Sequence, residues 1–132
     1  TGFAKALGGL AALKELYLYG NEFTSVPVAL AGMTALTALM LSKNRLTSVP
    51  AWLGGLTELK ALYLDGNRLT SVPAELGRLV ALKELSFNGN ELTSVPAELG
   101  ALTGLKFLEL DGNRGLTSLP AEWEKGGALQ KG

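Results

Sequence analysis

The chain repeats one unit of 23 residues through most of its length. Five asparagines follow one another at this interval: Asn21, Asn44, Asn67, Asn90 and Asn113. Four prolines keep the interval and a fifth comes one residue late: Pro27, Pro50, Pro73, Pro96 and Pro120. A repeat of this length is typical of a solenoid, in which each unit packs mainly against its two neighbours. This constraint excludes most globular folds before any single side chain is considered.

Each asparagine lies in an apolar frame, Leu-x-x-Leu-x-Leu-x-x-Asn-x-Leu. The five copies read LKELYLYGNEF, LTALMLSKNRL, LKALYLDGNRL, LKELSFNGNEL and LKFLELDGNRG. The alternation in the middle of the frame indicates a strand with one buried face. In the third copy, Leu62 and Leu64 are expected to point into the core and Tyr63 to point outward. The frame predicts five parallel strands: Leu16–Leu18, Leu39–Leu41, Leu62–Leu64, Leu85–Phe87 and Leu108–Leu110.

A segment that begins with proline follows each frame and supplies the long return path that parallel strands need. The proline presets φ for a helical turn, and we expect a glycine with positive φ to end each turn. These glycines are Gly32, Gly54, Gly77 and Gly100. The predicted fold is an α/β solenoid with a curved parallel sheet on its concave face and short helical or 3-10 turns on its convex side.

The unit resembles the 23-residue leucine-rich repeat of intracellular proteins, the Ras-group type. Its hallmark is a Leu-Pro or Val-Pro pair followed by an apolar residue with glycine and a further leucine, as in VPAELGRL at Val72–Leu79. The resemblance covers nearly the whole chain and implies a protein-binding role. By analogy of fold alone, it implies a small GTPase or another signalling protein as partner. The resemblance implies no catalytic residue, so the chain is predicted not to be an enzyme and not to use a cofactor.

The pattern predicts one domain, residues 1–132, with incomplete units at both ends. Residues 1–12 match the return half of a repeat, in which Phe3, Leu7 and Leu10 take core positions. Five full repeats start at Leu13, Leu36, Leu59, Leu82 and Leu105. Residues 121–132 begin a truncated return half, where Trp123 is expected to close the core. Both a complete chain with half-repeat caps and a piece of a longer array fit this pattern.

Composition limits the kinds of partner and chemistry. Twelve basic and twelve acidic residues cancel, so bulk charge favours neither nucleic acid nor an anionic membrane as partner. The chain has no cysteine and no histidine, which removes disulfides, thiolate chemistry and the commonest general base and metal ligand. The lack of cysteine favours a reducing compartment and predicts a cytoplasmic location, although a bacterial secreted protein also fits.

The outward strand positions, which are the third, fifth and seventh of each frame, are free to vary and therefore carry the information on function. One region is aromatic and apolar around the small Ala38 and Ala61: Tyr17, Tyr19, Met40 and Tyr63. The other is mostly polar and acidic: Asp65, Asn88, Phe107, Glu109 and Asp111. With Arg68 at the rim, these residues are predicted to bind another protein, since tyrosine is enriched at binding hot spots.

The partner is expected to place an apolar group against the tyrosines and a basic group against Asp65 and Asp111. Trp52 stands on the return segment where later copies have Glu75 and Glu98. It is expected either to lie flat over its neighbours or to form a second contact point on the outer surface.

Other interpretations of the same rows stay open. The asparagine row favours the satisfaction of buried backbone groups over a ligand site, and the threonine row favours turn chemistry over ice binding. The carboxylates fit a solvated face, although Ca²⁺ also takes oxygen ligands. A smooth sheet offers no obvious cleft for a paired acid and base. The alternative function is a structural or self-assembling segment of a longer array, and the open edge of the first strand predicts a weak homodimer.

Overall fold

The computed structural model describes residues 11–125. They form five short strands: β1 Glu15–Tyr17, β2 Ala38–Met40, β3 Ala61–Tyr63, β4 Glu84–Ser86 and β5 Phe107–Glu109. Neighbouring strands are parallel and follow one another in chain order across the sheet. Each strand residue pairs with the residue one repeat later, as Leu16 does with Leu39. The predicted solenoid with a parallel sheet is confirmed.

The strands begin and end one residue earlier than the frame predicts. β1, for example, ends at Tyr17. The Leu18 amide still donates to the Met40 carbonyl over 2.8 Å, but the chain then turns at Gly20, where φ is 74°. The predicted alternation is confirmed, because Leu62 is fully buried while Tyr63 beside it is half-buried on the opposite face.

Each return segment contains one 3-10 turn that starts after a proline. These turns are η1 Val28–Gly32, η2 Ala51–Gly55, η3 Ala74–Arg78 and η4 Ala97–Ala101. The preceding prolines have φ between −57° and −75°, which their rings already impose. The proline carbonyl closes the turn, as when Pro50 accepts the Leu53 amide over 3.1 Å. A short helix, α1 Ala121–Lys125, follows the last strand and its loop.

The prediction of positive φ at the turn glycines is wrong. Positive φ occurs instead just after the strands, and the residues that adopt it are Gly20, Lys43, Gly66, Gly89 and Gly112. Lys43, at φ 58°, is the non-glycine member of this set in the described residues. Residues other than glycine adopt this conformation at a cost. The position just after each strand therefore favours glycine because of its backbone conformation.

Close packing between turns explains most of the turn glycines. A side chain at Gly54 would meet the backbone of Glu75 in the next turn, and one at Gly77 would meet the backbone of Glu98. A side chain at Gly100 would likewise meet the Glu122 carboxyl group. Gly32 has open space around it, and it is one position out of phase with the others. At Gly54 and Gly77 the turns therefore stack closely enough to exclude even a methyl group.

The core lies between the sheet and the 3-10 turns. Its fully buried members come from both layers, and they include Leu30, Leu39, Leu53, Leu62 and Leu76. Trp123 is 5% exposed and belongs to this core, as predicted. The predicted core positions Phe3, Leu7 and Leu10 lie outside the described residues, and the division into one domain with incomplete ends remains a prediction.

The asparagine row joins neighbouring repeats, which confirms its structural interpretation. Four of its members are buried: Asn44, Asn67, Asn90 and Asn113. The Asn67 amide group donates to the carbonyls of Leu64 in its own repeat over 3.0 Å and Leu41 in the preceding repeat over 3.1 Å. Its oxygen accepts the Leu46 amide over 3.0 Å. Each buried asparagine thus satisfies backbone groups that the turn leaves without strand partners.

Candidate functional site

The sheet register brings the predicted apolar residues into one row on the face opposite the core. Tyr17 pairs with Met40, and Met40 pairs with Tyr63. The same row continues through Ser86 to Glu109. Beside it runs the third-position row, in which Ala38 and Ala61 lie next to each other. The concave face therefore has an apolar half on β1 to β3 and a polar half on β4 and β5.

Exposed aromatic surface is concentrated at the first strand. Tyr17 is 54% exposed and Tyr19 is 61% exposed, whereas Met40 and Tyr63 are half-buried. Ser86 faces outward by register but has no exposed surface, because it lies between the larger Tyr63 and Glu109 in the row. Sequence reasoning missed this burial, which depends on the size of side chains one repeat away on each side.

The Tyr63 hydroxyl is tied to the adjacent strand. It donates to the Glu84 carboxylate over 2.6 Å. Burial, this hydrogen bond and the charges of Glu84, Glu109 and Asp65 all raise the pKa of the Tyr63 phenol well above its ordinary value. On β1, Tyr17 donates to Glu15 over 3.3 Å, and the charge of Glu15 is the main cause that raises the pKa of the Tyr17 phenol. Both phenols therefore act as hydrogen-bond donors across the neutral pH range.

Two further carboxylates are held by serine hydroxyls one repeat earlier. Ser42 donates to Asp65 over 2.6 Å, and Ser86 donates to Glu109 over 3.1 Å. Each serine precedes its acid by 23 residues, so the spacing of one repeat is the signal by which these pairs are visible in the sequence. The Asp65 and Glu109 carboxylates are therefore oriented before any partner arrives.

The remaining predicted residues differ in what they do in the structure. Asn88 is half-buried, and its oxygen accepts the Asp111 amide over 2.7 Å, so it helps to order the following turn. Asp111 is exposed and Phe107 is half-buried on β5. Arg68 is exposed beyond the strand ends, in agreement with its predicted place at the rim.

Trp52 lies away from the concave face, on η2. It is half-buried and packs against the hydrophobic core. This position agrees with the expectation that the indole lies over its neighbours, and its role as an outer contact stays a prediction.

The carboxylates do not form a metal site in the part of the chain that the structure describes. No group of three or more His, Cys, Asp or Glu residues within residues 11–125 is arranged to hold a metal ion. The calcium alternative therefore has no geometric support there. None of the helices among these residues has the length and apolar character to span a bilayer.

Comparison with known proteins gives a consistent picture. The family model described as leucine-rich repeat region matches residues 3–125. A leucine-rich repeat protein of Leptospira interrogans is similar in structure, with a TM-score of 0.88 and 35% identity over 96% of this chain and 32% of that one. The leucine-rich repeat ectodomain of the receptor kinase SOBIR1 from Arabidopsis thaliana gives a TM-score of 0.74 and 32% identity, over 86% of this chain and 64% of that one.

The functional domain of InlJ from Listeria monocytogenes, described as including a cysteine ladder, shares the fold. Its TM-score is 0.76 and its identity is 24%, over 87% of this chain and 24% of that one. This chain therefore spans less than two thirds of each of these three structures. A search of curated proteins finds no match.

Leucine-rich repeat domains generally act as protein interaction modules and are typically non-catalytic. The family model covers nearly all of the sequence, and the sheet, the proline-led turns and the asparagine row have the geometry that this repeat requires. The chain belongs to the leucine-rich repeat family.

Proposed function

We propose that this domain binds a partner protein through its concave face, with the apolar half as the anchor site. The observation that carries the proposal is the register row of Tyr17, Met40 and Tyr63 on three adjacent strands. Exposed apolar patches on a monomer usually mark interaction sites, and large aromatic groups dominate binding energy. Ala38 and Ala61 run beside the row, so there is space next to the rings for a partner side chain.

The polar surroundings fit the same use. A binding face generally has apolar anchors at its centre and a polar rim. Here Asp65 and Asp111 lie on one side of the anchor row and Arg68 lies at the rim, so an apolar group of the partner is placed against the tyrosines and a basic group against the aspartates. The carboxylates held by serines lose little freedom on binding, which lowers the ordering cost.

Truncation of one anchor tests this proposal. With the partner recovered from cell extract, we expect Tyr63→Ala to weaken binding at least about tenfold, because truncating a hot spot costs about 2 kcal/mol. Arg68→Ala is expected to change affinity much less, since rim charges act mainly on the association rate. Tyr63→Phe keeps the ring and serves as the matched control, with circular dichroism to verify folding. Equal affinity of the alanine variant and the unmodified protein would contradict the role of Tyr63.

Self-association is the second candidate, and the edge of the sheet favours it. Within the described residues, β1 pairs with β2 alone, and backbone amide and carbonyl groups on an unpaired side of a strand can recruit further chains. Lys14 and Glu15 place charges on this edge and limit such pairing. We therefore propose a weak homodimer through β1 in addition to partner binding.

A further inference from the structure

Charge is separated between the concave face and the rest of the molecule. The outward positions of the five frames contain five carboxylates and neither lysine nor arginine, and the acids are Glu15, Asp65, Glu84, Glu109 and Asp111. Because the whole chain is formally neutral, all other surfaces together carry five positive charges in excess. A face of one sign attracts a partner of the opposite sign and disfavours partners of its own sign.

Three of these carboxylates each accept a hydrogen bond from a hydroxyl group in the preceding repeat. Glu84 accepts from Tyr63 over 2.6 Å, Asp65 accepts from Ser42 and Glu109 accepts from Ser86. Each of these bonds uses one carboxylate oxygen, and the second oxygen remains an acceptor for an incoming group. Charge-assisted bonds from guanidinium or ammonium groups are the strongest bonds such oxygens accept.

The width of the described sheet gives the length of a segment that fits on it. Five strands that are about 4.8 Å apart span about 19 Å, which an extended chain at about 3.3 Å per residue crosses in about six residues. The distance from the Tyr17 and Met40 side chains to the acids on β3 to β5 corresponds to about three or four of those residues.

We infer that the partner presents an extended segment of about six residues that crosses the strands, with an apolar side chain on Tyr17 and Met40 and arginine or lysine over Asp65, Glu84 and Glu109. The inference rests on the proposed binding role of the concave face. It adds the chemical class of the partner: a basic polypeptide segment with one apolar anchor three or four positions away from the basic residues.

Selection of a phage library of random peptides on the immobilised protein tests the inference. The peptides are about twelve residues long, which is about twice the length of the predicted segment. We expect enrichment of peptides with this apolar-to-basic spacing. Their synthetic versions are then measured by fluorescence anisotropy at about 50 mM and about 300 mM NaCl, where the higher salt should weaken binding because it screens charge.

Substitutions that remove the charge of the acids but keep their shape show where the basic residues of the peptide bind. We expect Asp65→Asn, Glu84→Gln and Glu109→Gln together to weaken peptide binding at least about tenfold. The matched control removes three exposed acids away from the face, in Glu58→Gln, Glu98→Gln and Glu122→Gln. It should change affinity less than about twofold, since exposed distant charges are screened.

The outcomes separate this inference from the proposed function. One outcome overturns the inference and leaves the concave-face proposal standing. In it, the enriched peptides lack basic residues and lose binding when Tyr17, Met40 and Tyr63 of the protein are changed to alanine. Peptides that bind the acid-neutral protein and the triple-alanine protein as tightly as the unmodified protein contradict both. A selection that enriches no peptide contradicts the inference, because a basic segment with one apolar anchor at this spacing should then be sufficient for binding.

Discussion

At the scale of single residues, Asn67 shows how one side chain holds two repeats together. It donates to Leu41 and Leu64 and accepts from Leu46, and it is 6% exposed. Asn21 occupies the same position in the first repeat but is exposed, and its bonds to the Leu18 and Tyr19 carbonyls stay within its own repeat. The two asparagines therefore share chemistry and local sequence but differ in what they connect.

This difference gives a matched pair of substitutions. Asn67→Ala is expected to lower the free energy of unfolding by more than about 1 kcal/mol, since it leaves buried amide and carbonyl groups without partners. Asn21→Ala is expected to cost clearly less, because water reaches the groups it releases. Urea denaturation followed by circular dichroism measures both. The same midpoint for Asn67→Ala and the unmodified protein would rule out the proposed role of the ladder.

The Tyr63 phenol predicts a pH effect at the alkaline end. Its folded-state pKa is raised above the ordinary 10.0, so the folded protein holds this proton more tightly than the unfolded chain does. The stability that results is fully present below pH 10.0 and is lost as the pH rises toward the folded-state pKa. The absorbance of ionised tyrosine at alkaline pH follows this titration, and the part of the signal that is absent in Tyr63→Phe belongs to Tyr63. We expect the midpoint of that part to lie at a pH well above 10.0. Glu84→Gln should lower that midpoint, and an unmoved midpoint would contradict the contact.

At the scale of elements, stacking of the 3-10 turns determines where glycine is required. Gly77 in η3 faces the Glu98 backbone in η4, whereas Gly55 in η2 has open space around the position of a side chain. We expect Gly77→Ala to destabilise the fold by about 1 to 3 kcal/mol, because overpacking forces the turns apart. Gly55→Ala is the control and should be neutral or stabilising, since it reduces the freedom of the unfolded chain. Thermal unfolding that ranks the two variants in the opposite order would count against this packing.

The elements were largely predictable from the sequence because the repeat samples each position five times. The strands, their parallel order and the proline-led turns follow from the alternation around residues such as Leu62 and from the common interval. The role of Gly77 did not follow, because positive φ and close approach both favour glycine and differ only in three dimensions. On the candidate site, the row of Tyr17, Met40 and Tyr63 followed from frame positions. The burial of Ser86 did not, because it depends on neighbours in other repeats.

At the scale of the whole molecule, the position of β1 at the edge of the described sheet predicts association. β1 is short and carries Lys14 and Glu15 at its start, so pairing through its backbone is expected to be weak. We expect sedimentation at millimolar concentration to show a monomer in equilibrium with a dimer, and Tyr17→Pro, which removes a backbone donor that faces away from β2, to shift the equilibrium toward monomer. A strict monomer at that concentration would remove the homodimer proposal.

Residues 11–125 present exposed apolar side chains on two surfaces, and the two are chemically different. The concave face presents Tyr17 and Tyr19 among carboxylates, while the opposite side exposes Val28 and Val80 at 72% and 64%. These valines are separated by two repeats in the sequence, whereas the tyrosines continue into the row with Met40. A continuous row favours the concave face as the binding surface.

Affinity for the partner, measured by titration calorimetry with two triple-alanine proteins, tests this claim most directly. In one protein Tyr17, Met40 and Tyr63 are replaced, and in the other Val28, Trp52 and Val80 are replaced. Both must retain the circular dichroism spectrum of the unmodified protein. We expect the first protein to lose at least about tenfold in affinity and the second to lose less than about threefold, because hot spots cluster at the centre of an interface. Unchanged affinity of the first protein, with loss in the second, would contradict the concave-face account and assign binding to the outer surface around Trp52.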